Sequence, residues 1–193
     1  MPDDTYTVQN PYSTDKETSI DQKTGACGRF YGKYRGMVLN NVDPMQRGRL
    51  LVQVPDVTQF GPASWAEPCF PGGGLQFGMI AIPMVGSGVW VEFEQGDPDY
   101  PLWTGSFLGN AGEFPGLARM TPPGVPGLSM TTPLQNGVVA NDVPGPSGGI
   151  LLKGGLATIT INDAGIIIQN GKGASIVLTN NQVIVNAGAL VVM

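Results

Sequence analysis

The end of the chain, from Gly149 to Met193, is a row of short apolar runs that each end in glycine, asparagine or aspartate. It reads GILLKGG, LATITINDA, GIIIQNGKG, ASIVLTNN, QVIVNAG and ALVVM. Pairs of apolar residues two positions apart recur at intervals of 7, 10, 7 and 7 residues. Alternation over four or five positions between turn residues predicts β-strands. The segment is therefore predicted to be a repeat with one strand per unit.

Strands this short and this apolar need more than one chain. An isolated hairpin of such strands is marginally stable in water, and a single sheet leaves an apolar face wet and its edges open. Three chains wound around a common axis would bury alternate side chains, with each strand pairing with strands of the neighbouring chains. The prediction for 149–193 is thus an intertwined trimeric β-helix, a β-prism needle. A two-sheet sandwich and a single-chain solenoid are the alternatives, and the short units favour the trimer.

The alternation also predicts which side chains face the three-fold axis. They are the apolar members of the pairs: Ile159, Ile161, Ile166, Ile168, Ile176, Leu178, Val183 and Val185. The apolar end of the needle is predicted to be a tip that binds a cap, because an exposed apolar patch favours a partner. This tip comprises Leu190, Val191, Val192 and Met193.

Residues 28–109 are predicted to form a small β-barrel. Strand signals lie at 30–40, 49–54, 79–83, 88–94 and 102–108, and 55–77 is predicted to be a long loop with a flexible triple glycine at 72–74. Val89, Val91 and Phe93 alternate with more polar neighbours, which is typical of a strand with one buried face. Five strands in about 80 residues fit an OB-fold barrel.

Two further segments lack strand signals. Residues 1–27 are polar and without periodicity, which predicts an extended arm. Residues 110–148 are rich in proline and glycine, which predicts a semi-extended linker without helix or central strand. The expected architecture is therefore all-β: arm, five-stranded barrel, linker and needle.

Composition excludes several functions. The chain has no histidine, which removes Ser-His-Asp and Cys-His catalysis, and two cysteines cannot form a structural zinc cluster. We therefore predict no metal and no cofactor. The net charge is −5 and the ten basic residues are scattered, so no nucleic-acid partner is expected. With no signal peptide and no long apolar run, the chain is expected to be made and folded in a cytoplasm.

The acidic residues Glu92, Glu94, Asp97 and Asp99 are the strongest candidates for a catalytic pair. The first two fit the outward face of a strand, and Asp97-Pro98 is typical of a turn. We therefore predict no catalytic residue. The tryptophans at 65, 90 and 103 could stack on bases, but packing in a core or a subunit interface suits an acidic chain better.

Three stretches of the predicted barrel carry a resemblance. They are GMVLNNVDPMQRGRLLVQVPDV, SWAEPCFPGGG and IPMVGSGVWVEFEQGDPDYPLWTGSF. In order and spacing they resemble the OB-fold domain of the contractile-tail spike family, which includes phage baseplate assembly protein V and the VgrG spikes. The resemblance implies a homotrimeric structural spike at the centre of a tail baseplate, in a virion or another contractile particle. It implies docking on a trimeric hub protein under the tail tube, and transient contact with the target envelope, which the spike pierces when the sheath contracts.

The chain departs from parts of that family. No glycan-cleaving domain lies between barrel and needle, and only 27 residues precede the barrel, so a separate hub protein and a non-enzymatic role are expected. Without histidine the chain lacks the iron-binding tip of some relatives, and a PAAR-type conical protein is the expected cap. A cell-wall-degrading spike enzyme and, less favoured, a single-stranded nucleic-acid-binding OB protein are the alternative functions.

Overall fold

The structure is a computed structural model that describes residues 28–58 and 64–192. It contains two compact units, Met1–Leu108 and Gly109–Met193. The predicted arm at 1–27, together with Cys27, lies outside the described residues. No helix in the described ranges is long and apolar enough to cross a membrane.

The first unit is a closed five-stranded barrel. Its elements are β1 (Tyr34–Asn40), β2 (Leu50–Gln53), α1 (Pro55–Thr58), β3 (Ser64–Pro68), β4 (Gly73–Gly74), β5 (Phe77–Gly78), β6 (Gly88–Phe93), a 3-10 helix at Glu94–Gly96, and β7 (Pro101–Phe107). The barrel order is β1-β2-β3-β7-β6, with β1 and β6 paired to close it. All pairs are antiparallel except β3 with β7, which is parallel. The predicted OB-fold barrel is confirmed.

The barrel core forms from alternating residues of these strands. Its fully buried centre comprises Val38, Leu50, Val52, Ala66, Val89 and Val91. Trp103 is also buried, and its indole Nε1 donates a hydrogen bond of 3.1 Å to the carbonyl oxygen of Gly48. This partner satisfies the polar end of a large core side chain.

One of the five predicted barrel strands was wrong. Residues 79–83 form no strand, and Met79, Ile80 and Ile82 are exposed. The missing barrel strand is β3, inside the segment predicted to be a loop. Its sequence SWAEP buries only Ala66, so it has no alternation to detect. The triple glycine was also misread, because Gly73 and Gly74 form β4 and pair with Gly78 and Phe77 of β5.

The second unit is one antiparallel sheet of eight strands. The strands are β8 (Gly127–Thr131), β9 (Gly137–Asn141), β10 (Gly149–Gly154), β11 (Ala157–Asn162), β12 (Gly165–Gln169), β13 (Ser175–Thr179), β14 (Gln182–Val185) and β15 (Leu190–Val192). Short 3-10 helices lie at Ala111–Glu113, Leu117–Met120, Gly145–Ser147 and Asn186–Gly188. Each strand pairs with its neighbour in sequence, so the sheet is a continuous meander.

One expectation for this region is corrected. The segment 110–148 is not strand-free, because β8 and β9 lie within it and β9 is an interior strand. The prolines that suggested a linker all lie outside these two strands, whose sequences GLSMT and GVVAN contain none. Within the one described chain, β8 to β15 pair with their own neighbours in sequence, and the intertwining of three chains stays a prediction. The short turns let each strand return beside its own predecessor, which uses both hydrogen-bonding edges of every interior strand within one chain.

The turn between β1 and β2 is held by a buried ion pair. Arg49 donates from Nη2 to Oδ1 of Asp43 at 2.8 Å, and the two side chains are 16% and 4% exposed. The backbone N–H groups of Met45 and Arg47 also donate to the Asp43 carboxylate, at 2.9 and 2.8 Å. The Arg49 guanidinium, which lies 5.4 Å from the centre of the Trp65 ring, lowers the pKa of Asp43 far below its usual range, and the backbone donors add to this.

We expect Asp43→Asn to lower the melting temperature of the protein at pH 7 by several degrees. Because the pKa of Asp43 is lower in the folded state, the charged carboxylate stabilises the fold above about pH 4, and this stabilisation is lost as the pH falls further. Melting temperatures measured from pH 7 down to pH 2 should therefore fall less steeply for the variant. Asp99→Asn, at an exposed carboxylate, serves as the control. Equal pH profiles for Asp43→Asn and the wild type would contradict this role.

Candidate trimer interface

The strand register collects apolar side chains on one face of the second unit. Ile159 lies opposite Ile168, which lies opposite Ile176 on the next strand. Ile161, Ile166 and Leu178 are matched in the same way. Because every second residue of a strand points to the same side, these pairs build two parallel columns across the sheet. We call this surface the apolar face.

All eight residues predicted to face a three-fold axis lie on the apolar face. Val183 and Val185 join the two columns, opposite Leu178 and Ile176. In one chain the face is open to solvent, with Ile159, Ile168 and Ile176 exposed by 37%, 39% and 41%. An apolar surface of this extent and regularity is unfavourable in water and calls for cover by another surface of the same kind.

The apolar face begins earlier than the sequence analysis placed it. Residues of β8, β9 and β10 extend both columns, and their register matches that of the later strands. The added residues are Leu128, Met130, Val138, Ala140, Ile150 and Leu152. The sequences GLSMT and GVVAN contain the same alternation, which could have predicted these residues. The nearby prolines instead favoured the prediction of a linker. Val138, Leu152, Ile159 and Ile168 are among the residues that line a groove of about 620 Å³ on this face.

The opposite face of the sheet differs in chemistry. It has one central apolar column that includes Leu151, Ile167 and Val177, and polar residues or glycines flank this column. Near β9 it is covered by its own chain, because the 3-10 helix at Leu117–Met120 packs there, with Leu117 8% and Val139 1% exposed. This face therefore tolerates water, whereas the two-column apolar face does not.

The predicted tip lies at the last strand. Leu190 is 57% exposed, and the backbones of Val191 and Val192 pair with Ile184 and Val183 of β14. Met193 lies outside the described residues. β15 pairs only with β14 among the strands of the described sheet, so it is one of the two edges of that sheet.

Among the acidic residues considered as a catalytic pair, Glu92 and Asp97 make structural contacts. Glu92 forms an ion pair with Lys33, and Oδ1 of Asp97 accepts a hydrogen bond from the N–H of Asp99 within a turn. Glu94 and Asp97 line an open cavity of about 240 Å³ with Arg29 and Tyr100. In the described ranges no group of three or more histidine, cysteine, aspartate or glutamate side chains could hold a metal ion.

The tryptophans also pack against protein groups. Trp90 packs against Phe107 at a ring-centroid distance of 5.1 Å, and the Arg35 guanidinium lies 5.4 Å from the Trp90 ring and 4.8 Å from the Phe107 ring. Trp103 is in the core and Trp65 lies beneath Arg49. All three tryptophans therefore have packing roles.

The barrel and the apolar face define a class: an all-β structural protein that pairs an OB domain with an oligomerisation sheet. Residues 34–108 match the model of the type VI secretion system/phage-baseplate injector OB domain. Residues 128–191 match the model of the phage baseplate V C-terminal trimerisation domain, which begins within β8, where the apolar face begins. The two matches cover most of the chain, and it belongs to the phage baseplate V family of baseplate spike proteins. A comparison with curated proteins gives no significant match.

Family membership settles the coarse role. The chain is a structural component of a phage-type baseplate, and its trimerisation domain makes it a homotrimer. Spike families of this kind are typically not enzymes. The protein is accordingly part of a virion or a tail-associated particle.

Proposed function

We propose that the trimer is the central spike of a contractile injection apparatus, which docks on a trimeric hub under the tail tube and pierces the target envelope when the sheath contracts. The observation that carries the proposal is the apolar face. Three copies of a sheet with two apolar columns can enclose one axis and bury their columns together, with Ile168 and its column neighbours facing the axis. The product is a narrow, stiff prism of stacked strands.

The charge distribution of the sheet supports piercing. Residues 149–193 carry three charged side chains, Lys153, Asp163 and Lys172, and none of them lies in strands β11 to β15. A charged side chain at the centre of a lipid bilayer costs about 2.5–3.5 kcal/mol on insertion scales. A needle whose strands are nearly free of charge meets a low barrier in the hydrocarbon layer.

The distal end is proposed to bind a PAAR-type cap. The support is chemical. Leu190 lies exposed on an edge strand, and the residues next to it in the sequence are apolar. An exposed apolar end of this kind favours binding of a partner. Assembly in the bacterial cytoplasm, before the particle is released, completes the proposal.

A complementation experiment tests the function. The gene for this chain is deleted from the bacterium that encodes it, and the wild-type or the Ile168→Asp chain is expressed in its place. We expect the wild type to restore density at the baseplate centre in electron micrographs, together with full killing or infection titre. The variant, unable to form the needle, should lower the titre by at least about 100-fold. A full titre from particles that lack the central density would refute the piercing role.

A further inference from the structure

The barrel unit carries an exposed apolar segment that its own core does not use. Residues 75 to 85, which we call the arm from here on and which are distinct from the predicted N-terminal arm at 1–27, expose seven large apolar side chains. These are Leu75, Phe77, Met79, Ile80, Ile82, Met84 and Val85. Leu75 is 92% exposed and Phe77 70%. Their combined exposed surface is on the order of several hundred Å², more than a soluble surface usually shows in one continuous stretch.

The arm is a built element rather than a loose loop. Strands β4 and β5 pair across Leu75 and Gln76, and the N–H of Met79 donates to the carbonyl oxygen of Gly72 at 2.9 Å. The Phe77 ring lies directly over Gly74, where any side chain would collide with it. Farther along, the side-chain amide of Asn41 donates to the carbonyl oxygen of Pro83 at 2.9 Å. The fold therefore presents the apolar side chains of the arm in a defined position.

A second exposed apolar surface lies on the same barrel. It is formed by Met37 and Leu39 of β1 and by Val42 and Met45 of the following turn, which are exposed by 45%, 38%, 73% and 59%. We call it the pad. The Asn41 hydrogen bond ties the pad to the base of the arm, so each barrel offers both surfaces side by side. A polar turn and a polar hairpin tip would fold equally well, so the apolar side chains indicate contact with a partner.

The available partner is a second copy of the same chain. The trimerisation domain brings three barrels together, and only residues 109–126 separate the barrel unit from β8. Fully extended, this segment spans at most roughly 65 Å, so each barrel meets the other two at an effective concentration in the millimolar range. In a three-fold ring each subunit contacts its neighbours through two different patches. We propose that the arm of each barrel packs on the pad of the next, so that the three OB domains form a closed ring of their own.

Cross-linking of the full-length trimer tests this ring. Cys27 and Cys69 are replaced by serine, and Leu75→Cys is combined with Val42→Cys. After treatment with a short bis-maleimide, denaturing gels should show covalent dimers and trimers as the main products. The matched control combines Leu75→Cys with Tyr100→Cys, because Tyr100 is also well exposed, at 61% against 73% for Val42, but follows β6 at the end away from the pad. This pair should give at least about ten-fold less cross-linked product.

A second readout keeps the inference independent of cross-linker geometry. In the trimer, a single Leu75→Cys should react with a small maleimide at least about ten-fold more slowly than a single Tyr100→Cys. Equal rates together with no interchain cross-link would overturn the ring. Protection of Leu75→Cys only in intact particles would also overturn it and would assign the arm to another baseplate protein. Light scattering of the same samples separates these results from a failure of the trimer itself.

Discussion

Replacing Ile168 by aspartate is expected to abolish the trimer. Ile168 lies in the middle of the apolar face, opposite Ile159 and Ile176 on the two neighbouring strands. In the proposed prism the substitution places three carboxylates close to one axis and away from water. Burial of each charge costs several kcal/mol, and the like charges repel one another in a medium of low dielectric constant. Light scattering should give about three times 20.2 kDa for the wild type and a lower mass for the variant.

The matched control for this variant is Gln169→Asp. Gln169 is the next residue of β12, is exposed, and lies on the opposite face. The Gln169→Asp substitution introduces the same charge at nearly the same position along the proposed axis, and it should leave the trimer intact. If both variants remain trimeric, the apolar face does not form the axis. If only Gln169→Asp dissociates, the sheet is turned the other way, with Ile167 and Val177 inside.

The second large effect is expected at Gly165, where β12 begins. Gly165 has φ +136°, and a side chain there would overlap the carbonyl oxygen of Leu178 on β13. Both the disfavoured backbone conformation and the collision oppose any other residue. We expect Gly165→Ala to destabilise the sheet by about 3 kcal/mol or more, because the pairing of β12 with β13 must open to relieve the contact.

Gly154→Ala provides the comparison for that measurement. Gly154 is likewise a terminal residue of a strand, the last of β10, but a Cβ atom there would meet no heavy atom within 4 Å. The free energy of unfolding of Gly154→Ala should therefore lie within about 1 kcal/mol of the wild-type value. Thermal unfolding followed by circular dichroism distinguishes the two variants. Similar melting temperatures for Gly165→Ala and Gly154→Ala would contradict the steric explanation.

The barrel illustrates how far a local pattern can be read. Strands β1, β2, β6 and β7 were predicted within a few residues, because each alternates buried and exposed side chains or carries a dense apolar run. β3 was missed in favour of residues 79–83. The apolar run at 79–83 belongs to an exposed arm, so hydrophobicity alone pointed to the wrong element.

For the apolar face, in contrast, the local pattern was sufficient. The eight predicted axis residues share one face because strand geometry forces residues two apart to the same side, whichever strand lies next to them. That conclusion depended on the period alone and needed no knowledge of the pairing partner. The axis itself stays a prediction until the Ile168 and Gln169 variants are measured.

By itself, then, the sequence determined the period-two pattern, the turn positions and thus the membership of the apolar face, because these depend on residues close together in the chain. Only the tertiary structure decided that β8 and β9 join the sheet, that each strand pairs with its own predecessor, and that β3 joins β2 to β7 in the barrel. The last depends on a parallel pairing of Glu67 with Leu102, far apart in sequence. Such pairings are selected by the closure of the whole barrel, which no short stretch of residues encodes.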